Sequence, residues 1–298
     1  MQFNKQSLIS IFSILVIVIV WGSASTVTKL AVEAIPPYTF AFLRNLVGSI
    51  GFVPFYFYLR KRNRQEISGA PVKKMIWLGL TGITFFYLFF NAGIYYTTAA
   101  IGALIQGFIP VAIILLAVIF LKERLKLLQA TGILISLGGV IMIGFTGVIG
   151  EARNAILGNI LIIFAVISWG VYTTISKSMQ QYNPVYLAIM SIWIGTIGLI
   201  PPVIYELCTR ELPVISTNGW LSIIYLGLFS STICYILYNR ILKILPAVQV
   251  GNFMNLDPLC GAIIAIIFLD DRVTVWQVTG TILVLIGVVL TSRKRKRL

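Results

Sequence analysis

The side chains that could do chemistry are few and stand in apolar surroundings. Thr84, Tyr87, Asn91 and Tyr95 fall at i, i+3, i+7 and i+11, one face of a helix. Thr232, Tyr235 and Asn239 repeat that face further along, and Trp21, Ser25 and Lys29 share the i, i+4, i+8 spacing of Trp169, Thr173 and Lys177. Gln106, Gln249, Asn252 and Asn255 add amides. Amides and hydroxyls can replace water around a small polar or zwitterionic molecule while rings cover its apolar part. Interhelical hydrogen bonding, worth on the order of 1 kcal/mol each, is the competing role for any one of these residues. The set taken together points to a cavity.

Charged groups in the same surroundings are fewer still: Lys29, Arg44 and Asp257. Placing a carboxylate such as Asp257 near the middle of an apolar span costs roughly 2.5–3.5 kcal/mol. It precedes Pro258, so it can accept a donor freed by a proline kink, and a proton-coupling role is the alternative. Arg44 is expected to pair with Glu33 or to reach toward the surface, with a substrate carboxylate as its other partner. His is absent, and Cys208, Cys234 and Cys260 show no CxxC pairing. No metal site, cofactor or catalytic residue is therefore expected.

The elements that must position these groups follow from composition. Of the 298 residues, 58% are hydrophobic and 11% charged, with a mean hydropathy of +0.96. A soluble domain does not look like this. Apolar runs long enough to span a bilayer core of roughly 20 residues per helix recur ten times: 8–28, 38–59, 74–95, 98–121, 127–146, 156–177, 185–205, 219–240, 246–269 and 274–292. The first is not a signal peptide, since it runs on through Val27 into a polytopic chain. Eighteen of the 23 Lys and Arg residues fall at the termini or in even-numbered loops, whereas Glu33, Glu151, Glu206, Glu211, Asp270 and Asp271 fall on the other side. This bias predicts a multi-pass protein of the cytoplasmic membrane with both termini inside. The net charge of +14 thus reports orientation, and no nucleic-acid partner is expected.

An offset of 148 residues brings the chain onto itself: Trp21 onto Trp169, Lys29 onto Lys177, Tyr87 onto Tyr235, Asn91 onto Asn239, Pro110 onto Pro258, and Gly132 and Gly139 onto Gly280 and Gly287. Two units follow, 1–148 and 149–298. With five spans each, an odd number, the second enters the membrane from the opposite face. Such inverted repeats can expose a midplane site to either side in turn. The glycine faces of the fifth and tenth spans are expected to be packing surfaces.

With these residues in place, the chain resembles the EamA family of the drug/metabolite transporter superfamily over nearly its whole length. The carrying segments are Trp21-Gly22 with Lys29, Arg44, Leu121-Lys-Glu-Arg-Leu125, Leu256-Asp257-Pro258 and Phe268-Leu269-Asp270-Asp271-Arg272. The resemblance implies ten helices, a central cavity built mainly by the first four helices of each half, and movement of amino acids and related metabolites, more often export. A Gly-Glu pair is common in that family where Asp270-Asp271 stands. The related small multidrug-resistance proteins use a glutamate in their first helix, and no acidic residue occurs before Glu33 here. A channel-like permease and an integral-membrane enzyme acting on lipid are the contrasting functions. The enzyme would need clustered carboxylates or a nucleophile–base pair, which the spans do not offer. No residue pattern assigns a coupling ion or proton.

Overall fold

The computed structural model describes residues 5–62, 70–121, 127–145, 153–210, 214–244 and 256–292, and every regular element among them is helical. In chain order these are α1 (Lys5–Val32), α2 (Pro37–Arg62), α3 (Val72–Tyr96), α4 (Ala99–Gln106 continued by Ile109–Leu121), α5 (Leu127–Phe145), α6 (Ala155–Lys177), α7 (Pro184–Gly198 continued by Ile200–Thr209), α8 (Thr217–Ile244), α9 (Leu256–Leu269) and α10 (Val275–Ser292). Eight are long and apolar enough to cross a membrane, and α9 and α10 supply shorter apolar helices. The ten expected spans are recovered, with 246–255 of the ninth outside the described residues.

Local chemistry sets most boundaries. Side-chain oxygens of Thr98, Asn154, Asn183 and Ser216 accept backbone N–H groups of the first turn of α4, α6, α7 and α8. Two spans read as continuous in the sequence are broken. α4 tightens at Gly107 and Phe108, whose N–H groups bond three residues back to Leu104 O and Ile105 O. Pro110, two residues on, has no N–H for the Gln106 carbonyl. In α7 the break at Leu199 precedes Pro201 and Pro202, which likewise leave carbonyls without donors. Residues 80–85 of α3 and 226–234 of α8 form wider π-type turns, and the 148-residue offset nearly superposes the two segments.

Contacts between the halves are reciprocal. A Cβ on Gly132 of α5 would lie 2.6 Å from Gly287 O of α10, and one on Gly280 of α10 would lie 2.6 Å from Gly139 O of α5. The offset exchanges these two contacts. It likewise exchanges Gly22 against Cys260 with Gly170 against Ala112, and Gly79 against Gly195 with Gly227 against Val47. This is the contact pattern of a two-fold relation. Because Gly132 meets Gly287 while Gly139 meets Gly280, the equivalent helices α5 and α10 run antiparallel. The glycines permit that backbone approach, and Ser136 Oγ adds a bond to Val284 O at 3.2 Å.

Candidate functional site

At the centre of the bundle the repeat-related Trp21 and Trp169 meet edge to face, ring centroids 5.2 Å apart. Around them stand Tyr235, Tyr238, Tyr172 and Phe86, each centroid within 6.0 Å of one or both tryptophans. Trp21 Nε1 donates to Ser230 O at 3.2 Å, which holds its ring in place. Six aromatic rings at the axis form a rigid wall, since offset and edge-on ring pairs add stabilisation beyond their buried area.

Against this wall lies a cavity of about 610 Å³, including space continuous with solvent. Seven helices line it: Trp21 and Ala24 from α1, Arg44 from α2, Phe86, Tyr87 and Phe90 from α3, Gln106, Ile109 and Pro110 from α4, Trp169 from α6, Ser230 and Tyr235 from α8, and Asp257 and Pro258 from α9. The repeat mates Pro110 and Pro258 both line it, and Pro110 follows the interruption of α4 at Gly107 and Phe108.

Of the residues expected at the site, Trp21, Tyr87, Gln106, Trp169 and Tyr235 line the cavity, as do Arg44 and Asp257. The Gln106 amide also donates to Ser25 Oγ at 3.4 Å. Others are engaged in packing. Thr84 donates to Gly195 O at 2.9 Å and Thr232 to Gly48 O at 3.1 Å, so both join halves of the molecule away from the cavity. Thr173 pairs with Tyr238 OH, and Asn91 donates to Pro37 O. Asn239 donates to Tyr172 OH and Tyr235 O and accepts from Ser176 Oγ. Tyr95 lies at the end of α3, bonded by Arg153 Nη1 and stacked under its guanidinium. Gln249, Asn252 and Asn255 lie outside the described residues. Phe86, Phe90, Ile109 and Ser230 were not singled out in the sequence, where nothing distinguishes them from other apolar or hydroxyl residues of the spans.

The structure replaces one expectation for the charges. Arg44 neither pairs with Glu33 nor reaches the surface: Glu33 is exposed, while Arg44 is 1% exposed, donates from Nη2 to Ser230 Oγ at 3.0 Å, and stacks on Tyr87 with Cζ 4.4 Å from the ring centroid. Lys29 caps a helix, donating from Nζ to Ile94 O and Thr97 O at 3.3 and 2.8 Å at the end of α3. Its repeat mate Lys177 donates to Leu242 O, the equivalent carbonyl of α8. Cations at helix C-termini satisfy orphan carbonyls and the helix dipole, which accounts for both lysines without a substrate. Near Lys29, Asp271 in the α9–α10 turn accepts from Ala100 N at 2.8 Å at the start of α4. Burial pushes this carboxyl above the usual aspartate range, outweighing the N–H groups of Ala100 and Ala99, the Thr98 hydroxyl and the Lys29 charge, which pull it down.

The chain is similar to known proteins. The sequence profile of the EamA-like transporter family matches residues 8–145 and again 156–293. An "Uncharacterized transporter" of Archaeoglobus fulgidus is 29% identical over 279 residues, covering 92% of this chain and 95% of that protein. A "Probable amino-acid metabolite efflux pump" of Salmonella typhimurium is 27% identical over 290 residues, covering 93% and 92%. One solved crystal structure, 15% identical, superposes with a TM-score of 0.66 over 96% of both chains; at that identity it speaks for the fold alone.

Proposed function

Because the chain belongs to the EamA-like transporter family, we propose that it is a secondary transporter carrying a small polar or zwitterionic metabolite, an amino acid or related compound, out across the cytoplasmic membrane by alternating access. The observation that carries this reading is the cavity: partly polar, walled by rings, and set against the repeat-related Trp21 and Trp169. A cavity against the axis relating two similar halves is a midplane site that their exchange of conformation could open to either side. The reciprocal contacts support the division into two inverted units near residue 148. The distribution of Lys and Arg supports cytoplasmic termini. The name of the Salmonella relative supports both cargo class and direction.

Counterflow in proteoliposomes tests it. Labelled amino acids, screened singly, should enter vesicles preloaded with the unlabelled compound, saturably and with competition. Linear flux without exchange would instead favour a channel-like permease, and consumption of a lipid by the purified protein an enzyme.

A further inference from the structure

Arg44 holds a charge that the fold does not satisfy. A guanidinium carries five N–H donors and keeps its proton inside proteins. Here Nη2 reaches Ser230 Oγ at 3.0 Å and Tyr87 OH at 3.5 Å, while Nε and Nη1, three N–H bonds between them, have no acceptor among the described residues. The side chain is 1% exposed and borders the cavity. A buried donor left unpaired costs roughly 1–3 kcal/mol, and more when charged, so stability does not explain the residue. The repeat provides the control: the equivalent position in the second half is Ile192, fully buried. In the other half that place in the architecture is filled by an aliphatic side chain.

We infer that Arg44 is an oxyanion-binding subsite of the cavity, and that the cargo presents a carboxylate to its free N–H groups. The word cargo rests on the transport reading; the anion site does not. A carboxylate fits better than a phosphate because Arg44 is the sole cation lining the described cavity and Asp257 lines it too. One negative charge is matched by the single guanidinium, whereas a dianion would bring a second charge for which the lining offers no cation. The remaining wall, Phe86, Phe90, Trp169 and Ile109, suits an apolar body on the same molecule.

The experiment is thermal unfolding of the purified protein in chloride buffer, titrated with sodium acetate, sodium benzoate, L-leucine, inorganic phosphate, or sodium chloride at equal ionic strength. A ligand selective for the folded state raises the melting temperature. At least one carboxylate should raise that of the wild type by several degrees, and chloride should not. Arg44→Met should melt no lower than wild type in chloride alone and lose the carboxylate response. Arg44→Lys, which keeps the charge but not the fork of donors, should need at least tenfold more carboxylate for half the shift. That second comparison stands even if the methionine variant fails to fold. Wild-type protein indifferent to all three carboxylates, or variants that respond as wild type does, overturns the inference. A response to phosphate alone assigns the site to phosphorylated cargo and overturns the carboxylate. Carboxylate binding without counterflow would refute the transport reading and leave the anion site standing.

Discussion

The amide of Gln106 borders the cavity, and its contacts with the described residues are long, 3.4 Å to Ser25 Oγ and 3.5 Å to Gly102 O. That of Asn239 is used in full, with bonds of 2.8–2.9 Å to Tyr172, Tyr235 and Ser176. Gln106→Ala is therefore expected to leave the melting temperature nearly unchanged and to reduce counterflow several-fold. Asn239→Ala should strip buried partners, cost about 2–3 kcal/mol and lower the yield of monodisperse protein. Equal loss of folded protein in both variants would refute the distinction. The sequence shows why one amide could be placed and the other not. Helical spacing selects the inward side of a span, but whether an inward group meets a neighbour or a void depends on helices far away in the chain. Arg44 shows the same limit. Glu33 is close in sequence but lies in the turn before α2, and Arg44 is seven residues beyond Pro37, about 10 Å along the axis.

Departures from regular helix explain the remaining differences. Thr84 and Tyr87 were assigned one face by their i, i+3 spacing, but the π-type segment ends at Phe85, between them. Its i→i+5 bonding turns Thr84 toward α7 while Tyr87 faces the cavity. Thr232 and Tyr235 are separated in the same way at Cys234. No residue in either segment announces a wide turn, whereas the prolines that interrupt α4 and α7 were visible and only their effect on continuity was missed. The glycine faces were readable as packing surfaces, and the geometry gives them a number: a Cβ on Gly139 would sit 2.5 Å from Gly280 O, a backbone atom that cannot rotate away. Gly139→Ala should thus destabilise the α5–α10 pair by about 1–3 kcal/mol, read as a lower melting temperature. At the end of α9, Asp270 has φ 52°, the left-handed region. Glycine is the residue that adopts this conformation without strain, so Asp270→Val should cost about 1–2 kcal/mol while Asp270→Gly is tolerated.

For the molecule as a whole, the ten helices and the doubling were legible because a membrane demands long apolar runs and a duplication leaves a constant offset. The Asp271 carboxyl ties the α9–α10 turn to the start of α4, close to the lysine that caps α3. Since burial raises its pKa in the folded protein, the folded state binds a proton more readily than the unfolded one. Stability should then rise as pH falls through the interval just above the ordinary aspartate range, and be lost again as pH rises through it. Asp271→Asn cannot titrate and should remove that slope, so the wild-type melting temperature should rise relative to that of the variant as pH is lowered through that interval. A wild-type melting temperature that falls relative to the variant over that interval would contradict the assignment.

The seam between α5 and α10 also bears on how the protein is made. Its glycines and Ser136 face partners about half a chain away, so during synthesis α5 enters the bilayer long before α10 exists. The seam can close only once α10 has followed α5 into the membrane. An interruption of synthesis before α10 therefore leaves the α5 glycines without the backbone they are shaped to meet.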